Sequence, residues 1–481
     1  MKSTPVRYVA PTDLVWFAFE SDNNLMIAPS IVTFKEALDP DRFRNMIQER
    51  MVDRHFRFRS KIVETGRWLK PMAWEEDPNF DIEYHMPQVT LDVCEHEEPL
   101  NALQRFASEI ISTPLDKNYP LWQFHLIDLA VDGKPQTAVI VRIHHCVADG
   151  ISLMQLLIAV AEEIRENSFA GVSPTVALLE GSSRSNAKKL ASLRKSIRKP
   201  VVFFKALATR MLRSIVITFA VLRLLTMPRD PQTPLKGPLC HTKEVVWSNP
   251  IPLHQLKEIA KRYGCKVNDV MIALLTSSLR SYLAEKKALT EKLEFRAVVP
   301  FNLRPLDFDK DKSVRLGNNF GLIFLKLPLF IKDRGQRLKE IHRRMAKIKR
   351  APDAIIAFQV MGLLGILPRR FSDRFINMMG RKSTLVATNV PGPRHTLYMA
   401  GSEIESVIIW APQSGKLGMG YSLLSYAGYV SAGIMVDSGL IPDPQRLLNF
   451  FLKELDTFLK EGNVQESHAP GSVSPLLSTV S

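Results

Sequence analysis

The sequence predicts an α/β protein built as two halves of similar size, and three observations carry that expectation. Strand-like and helix-like hydrophobic periods alternate on both sides of the middle of the chain. Two stretches of connector composition bracket that middle: 171–189, rich in Ser, Gly and Ala, and 227–238, with Pro228, Pro231, Pro234 and Pro238. The 481 residues are many for one core, and 46% hydrophobic with 23% charged is the balance of an ordered globular chain.

In the first half, 39–52 carries helical spacing with Phe43, Met46 and Ile47 on one face, and 100–111 carries it again. Short strands are expected at 125–129 and 137–143, and a new helical pattern starts at Ile151 with Met154, Leu157, Ile158 and Ala161. In the second half, helices are expected at 253–263, 268–283 and 335–349, strands at 295–299 and 322–327, and further strands after Thr384. The expected division is an N-terminal half at 1–170, a linker at 171–238, a C-terminal half at 239–464 and a disordered tail at 465–481.

The net charge of +15 is concentrated: 181–229 holds twelve Lys and Arg and no Asp or Glu. Its apolar residues, among them Leu190, Leu193, Ile197 and Val201, keep approximate helical spacing, with a break expected at Pro200. Only Phe203, Phe204 and Phe219 could stack on bases, so an anionic membrane or lipid-droplet surface is expected there rather than nucleic acid. No apolar run reaches the roughly 20 residues of a spanning helix, so the expected attachment is peripheral. The N-terminus lacks a signal-peptide pattern, and Cys94, Cys146, Cys240 and Cys265 form no C-x-x-C pair. An intracellular location and neither a disulfide framework nor a zinc site are expected.

The chemistry centres on His144-His145-Cys146-Val147-Ala148-Asp149-Gly150, between an expected strand and an expected helix. A histidine at a strand end can present its imidazole, an aspartate four residues on can close the turn, and Gly150 can enter the helix without a Cβ clash. Two histidines that only satisfy hydrogen bonds at a strand end are the plainer alternative.

HHCVADG resembles the HHxxxDG signature of coenzyme A-dependent acyltransferases related to chloramphenicol acetyltransferase. Pro120-Leu121-Trp122, Val267-Asn268-Asp269-Val270 and Asn389-Val390-Pro391-Gly392-Pro393 resemble the PLW, ND and NVPGP blocks of the wax ester synthase/diacylglycerol acyltransferase (WS/DGAT) family. Pro11-Thr12-Asp13, Pro300-Phe301-Asn302-Leu303-Arg304 and Leu316-Gly317-Asn318-Asn319 also look familial, and the resemblance runs from about Pro11 to Leu455. The sequence departs from the family at Leu25–Ser30, which lacks a glycine-bearing patch, and at Lys332-Asp333-Arg334, which lacks a following proline.

The resemblance implies two chloramphenicol-acetyltransferase-like α/β domains with an active-site tunnel at their interface. It implies transfer of a long-chain acyl group from acyl-CoA, a substrate rather than a cofactor, to diacylglycerol or a long-chain alcohol, with no metal. His145 would be the general base with His144 supporting it, Asp149 a structural residue paired with Arg59, and Asn268 an oxyanion or positioning residue. Trp122, Asn389 and Gly392 are candidate substrate contacts. Cys146 is not expected to be a nucleophile, because the pattern tolerates any residue there. Two rival expectations are an HHxxxDG acyltransferase acting on a soluble or carrier-bound acceptor and a membrane-binding protein with a dead site.

Overall fold

The computed structural model describes residues 6–67, 70–91, 97–131, 133–161, 218, 222–304, 314–349 and 353–467. Its strands in chain order are β1 (Arg7–Tyr8), β2 (Ile27–Phe34), β3 (Ser60–Glu64), β4 (Met72–Glu76), β5 (Gln88–Thr90), β6 (Trp122–Val131), β7 (Lys134–His144) and β8 (Lys243–Trp247). They continue with β9 (Ile251–Pro252), β10 (Phe295–Asn302), β11 (Phe320–Leu327), β12 (Leu385–Pro391), β13 (Tyr398–Met399), β14 (Ser402–Ile409), β15 (Met419–Tyr426) and β16 (Tyr429–Asp437). The helices used below are α1 (Pro11–Phe19), α2 (Pro40–Ile47), α3 (Ile82–His85), α4 (Pro99–Ser112), α5 (Gly150–Val160), α6 (Leu253–Arg262) and α7 (Val267–Glu285). They end with α8 (Arg334–Lys349), α9 (Asp353–Ile366), α10 (Arg369–Arg381) and α11 (Pro444–Ser467).

One sheet has the order β13-β14-β2-β7-β6-β5 and the other β11-β10-β12-β15-β16-β8, with β9 beside β16. The first sheet recruits β14 from the second half: Val407, Ile408 and Ile409 pair antiparallel with Val32, Ile31 and Ser30 of β2. The segment 398–409, expected to stay within 239–464, thereby stitches the halves together. Residues 227–238, expected as a plain connection, are mostly exposed but bury Asp230 and Leu235. Asp230 is buried against Arg296 at 2.6 Å and accepts from Thr384 at 2.9 Å, and Leu235 joins the hydrophobic core of the second half.

Most expected elements form where the periodicity put them. The segment 39–52 is α2 followed by a turn of π-helix at Gln48–Val52, and Asp39 caps it by accepting from the amides of Asp41 and Arg42. The two short strands at 125–129 and 137–143 are one longer antiparallel hairpin, β6–β7. The helix ending the described chain runs past Gln465 to Ser467. The basic segment 181–229 lies outside the described residues except for 218 and 222–229.

The site depends on three placements. First, β7 runs to His144, which pairs with Ile27, so the strand ends where the signature begins. Second, Asp149 caps α5, its Oδ1 accepting from the Ser152 amide and hydroxyl, both at 2.9 Å. Third, α1 lies close against α9, because a Cβ on Gly365 would stand 1.9 Å from the Pro11 carbonyl oxygen. Only glycine permits that approach, and it seats Trp16 of α1 over the signature turn.

Candidate active site

A cavity of about 930 Å³ reaches between the two sheets, lined by Val141, His145 and Leu153 from the first half and by Val298, Phe320 and Asn389 from the second. This is at the upper end of the usual range for small-molecule sites. Its walls are mainly Leu, Ile, Val, Met and Phe. The two histidines of the signature, His144 and His145, are adjacent in the chain but are used differently.

His145 lines the cavity and is buried. Its backbone is pinned at both ends, the amide donating to Met26 O at 2.7 Å and the carbonyl accepting from Asn318 Nδ2 at 2.8 Å. The imidazole lies against the Trp16 indole with centroids 4.3 Å apart, and Phe320 flanks it at 5.7 Å. Nδ1 is buried without a formed hydrogen bond, and so is Oδ1 of Asn318. Burial drives the imidazole pKa down to about 4, outweighing the opposing pull of the Asp149 charge and of the Asn318 amide. The ring is therefore neutral near pH 7.

His144 faces the other way. Its Nδ1 accepts from the Cys146 amide at 3.1 Å, so Nε2 carries the proton and donates to Glu20 Oε2 at 2.8 Å. Glu20 also pairs with Lys117 at 2.6 Å. Burial would raise the Glu20 pKa, but the hydrogen bond from His144, with help from Lys117, brings it down to about 2. Cys146 is buried, and desolvation pushes its thiol well above the usual range, which leaves it a poor nucleophile.

Asp149 is fully committed. Besides capping α5, its Oδ2 accepts from Arg304 Nη2 at 2.6 Å and from the Asn319 amide at 2.9 Å. The partner is Arg304, two residues past the end of β10, and not Arg59 as expected. Arg59 closes the short 3₁₀ turn Phe56–Arg59, where its guanidinium satisfies the carbonyls of Val52 and Asp53, both at 2.9 Å, and reaches Glu76 at 3.4 Å. The arginine of that stretch that does touch the signature is Arg57. It donates to Val147 O at 2.8 Å and pairs with Asp13 at 2.9 Å. Asp13 in turn accepts from the amide and the side chain of Asn318 at 2.8 and 3.0 Å. Asp13, Arg57, Asn318 and Arg304 thus form a polar frame around the turn, and none of the four was singled out as a site residue from sequence. Three of them sit in blocks that did signal a role: Asp13, Arg304 and Asn318.

The remaining candidates divide. Asn268 and Asn389 both line the cavity, and Asn389 Nδ2 donates to Asn268 Oδ1 at 3.1 Å, which leaves the Asn268 amide hydrogens available. Gly150 also lines it, but a Cβ there would meet only Val390 Cγ2 at 3.5 Å, an ordinary contact. The expected clash does not exist. Trp122 does not reach the cavity wall. It is fully buried in the core, with Nε1 donating to Phe58 O at 2.7 Å and the ring stacked on His85 at 4.4 Å. Gly392 is not part of the wall either: a Cβ there would stand 2.3 Å from the Ser425 carbonyl oxygen, so the residue serves the close approach of two backbones.

A two-domain α/β chain that sets an HHxxxDG turn on the wall of a deep apolar cavity is, in class, an HHxxxDG acyltransferase. The description of the wax ester synthase/diacylglycerol acyltransferase catalytic domain matches residues 9–271, and that of the WS/DGAT C-terminal domain matches 316–458. The chain belongs to this family. It is 26% identical to wax ester synthase/diacylglycerol acyltransferase 4 of Arabidopsis thaliana over 485 aligned positions, covering 91% of this chain and 87% of that one. Among solved structures it resembles the wax ester synthase/diacylglycerol acyltransferase of Marinobacter aquaeolei VT8, with a TM-score of 0.66 at 22% identity over 95% of this chain and 99% of that one. It shares the same fold with the first condensation domain of the CDA synthetase, with a TM-score of 0.58 at 14% identity over 95% of this chain and 97% of that one.

Proposed function

We propose that the chain transfers a long-chain acyl group from acyl-CoA to the hydroxyl of diacylglycerol or of a long-chain alcohol, releasing triacylglycerol or wax ester and free coenzyme A. The observation that carries this reading is a neutral, unpaired His145 imidazole on the wall of a large cavity lined chiefly by hydrocarbon. Apolar walls favour two lipid tails and give a water-soluble acceptor little to bind.

In this scheme His145 accepts the acceptor's hydroxyl proton as its oxygen attacks the thioester carbonyl. Asn268 donates to the oxyanion through the amide hydrogens that its bond to Asn389 leaves available. As the tetrahedral species collapses, the C–S bond breaks and the thiolate recovers the proton from the imidazolium. Trp16 and Asn318 hold the ring, Asn318 Oδ1 standing ready for Nδ1–H once Nε2 takes the proton. His144 and Asp149 support the turn. Acyl-CoA enters as a substrate, and the scheme uses no metal or redox group.

The source of the lipid acceptor is an anionic membrane or lipid-droplet surface that the chain touches peripherally. Among the described residues no helix is long and apolar enough to cross a membrane. Support comes from α10, whose Phe375, Ile376 and Met379 line the cavity while Arg370, Phe371 and Arg374 are exposed. The test offers purified protein labelled palmitoyl-CoA with hexadecanol and dioleoylglycerol in competition. Labelled ester is expected from at least one acceptor, and ester from neither would overturn the proposal.

A further inference from the structure

The cavity wall is buried or half-buried almost throughout, and its exposed members are four: Lys257, Lys266, Asn389 and Arg394. They mark one mouth. Backbone hydrogen bonds draw their segments together, since the Leu253 amide donates to Gly428 O at 2.9 Å and the neighbouring Ala427 amide donates to Pro393 O at 3.0 Å. Lys257 lies four residues beyond Leu253 on the same face of α6, and Arg394 directly follows Pro393. Lys266 precedes the first residue of α7, and Asn389 is tied to α7 through Asn268.

Three of these four residues are cations, and among the described residues none of the three forms an ion pair. The only acid on the wall, Asp149, is buried and held by Arg304. The acid in the first turn of α7, Asp269, is buried and held by the Lys266 amide at 3.1 Å and by His342 at 2.7 Å. A hydrocarbon cavity whose mouth carries three cations outside any ion pair fits a ligand with an apolar tail and a polyanionic head.

We propose that Lys257, Lys266 and Arg394 form a phosphate site that holds the phosphorylated arm of the thioester donor while its acyl chain lies in the cavity. The proposal rests on the acyl-transfer reading above and adds which mouth the donor uses. The shared chemistry is a phosphate on a pantetheine arm, which coenzyme A carries together with its 3′-phospho-ADP and a carrier protein carries alone.

The test compares palmitoyl-CoA, palmitoyl-4′-phosphopantetheine and palmitoyl-pantetheine as donors for the full-length protein and for Lys257→Ala, Lys266→Ala, Arg394→Ala and the triple change. Exposed charge contacts are modest, so each single change should raise KM for palmitoyl-CoA roughly 3-fold and the triple change on the order of 30-fold. The kcat should hold, because the site binds ground state and transition state alike. KM for palmitoyl-pantetheine should not move, and added salt should raise KM for palmitoyl-CoA less in the variant than in the native protein. A loss confined to palmitoyl-CoA assigns the site to 3′-phospho-ADP. An equal loss with the 4′-phosphopantetheine thioester assigns it to the single phosphate, and both outcomes keep a phosphate site. Unchanged KM in the triple variant, or an equal rise with palmitoyl-pantetheine, overturns it. Calorimetric binding of palmitoyl-CoA to the same proteins reads the site even if no acceptor yields ester, which separates its failure from failure of the acyl-transfer reading.

Discussion

Arg304 Nη2 donates to Asp149 Oδ2 at 2.6 Å across 155 residues of sequence, and the two side chains are 15% and 5% exposed. The same guanidinium donates to the carbonyls of Arg315 and Gly317, so it ties the signature to the loop before β11. Removing one partner of a largely buried pair costs about 3 to 5 kcal/mol. Asp149→Ala and Arg304→Ala should each destabilise the protein to this extent, and the double variant should lose much less than the sum. Asp149→Ala with Arg59→Ala should be additive, since Arg59 bonds elsewhere. Urea denaturation of the three single and two double variants measures both cycles. Additivity in the first would mean that the pair does not couple.

His145→Ala should lose roughly 10²- to 10⁴-fold in kcat while keeping its fold, because general-base catalysis contributes about that much. His144→Ala should lose less in kcat and more in stability, since it strips Glu20 of a buried hydrogen-bond donor. Turnover assays beside thermal melts separate the two. If both variants lost kcat equally with equal melting temperatures, the division of labour between the rings would be wrong.

The acid limb of kcat/KM should lie near the His145 value of about 4 rather than at the usual 6.5. The proton-accepting form persists above the folded-state pKa and is lost as pH falls through it. Stability moves in the same direction. Between about 4 and 6.5 the unfolded chain binds a proton at this histidine that the folded chain does not, so unfolding free energy falls as pH drops through that window. Glu20, held at about 2, contributes stability that is present above its usual 4.5 and lost only below it. Denaturation between about pH 5 and 6.5 therefore reads His145 together with His85 and His125, which burial also brings down to about 4, with little contribution from Glu20. His145→Gln should lower the slope there by the His145 share and leave the His85 and His125 shares in place. A kinetic limb at 6.5 would show that burial does not control the ring.

The helices and the β6–β7 hairpin were legible because each buries one face, and a buried face leaves its period in the chain. The strand-turn-helix setting of His145 was legible for the same reason, with Asp149 as a local cap. The frame behind it was not. Asp149 to Arg304, Arg57 to Val147 and Asn318 to Asp13 are side-chain contacts between distant segments, and no local period records them. In Arg57-Phe58-Arg59 the two arginines look alike in sequence, and only the 3₁₀ turn decides which faces the signature. Trp122 was ambiguous because a large aromatic residue suits either a core or a lipid wall, and its hydrogen bond to Phe58 O, which places it in the core, is itself long-range. The strand β14 is apolar enough to be expected as a strand, yet its partner β2 lies at the other end of the chain.

The last prediction concerns the membrane surface. The basic segment 181–229 was expected to supply it, and nearly all of that segment lies outside the described residues. The other basic helix, α8, is a weaker candidate, because Arg343 and Arg344 are paired with Glu340, and Arg344 also with Glu294. Among the described residues α10 offers Arg370 and Arg374 with exposed Phe371, and exposed Leu363 lies one turn before the end of α9. Its other face meets the cavity, so a lipid leaving the surface here has a short path to His145. Each Arg near an anionic surface contributes about 1 kcal/mol, and the apolar side chains add by burial in the headgroup layer. Leu363→Asp with Phe371→Asp should abolish flotation with phosphatidylserine vesicles, and Arg370→Gln with Arg374→Gln should weaken it roughly 10-fold or more. Binding by the native protein should need anionic lipid and fall with salt. In parallel, Lys188, Lys189, Arg194, Lys195, Arg198 and Lys199 become Gln in a second protein. If that protein alone loses flotation while both α10 variants keep it, the contact belongs to the basic segment and α10 is not the surface.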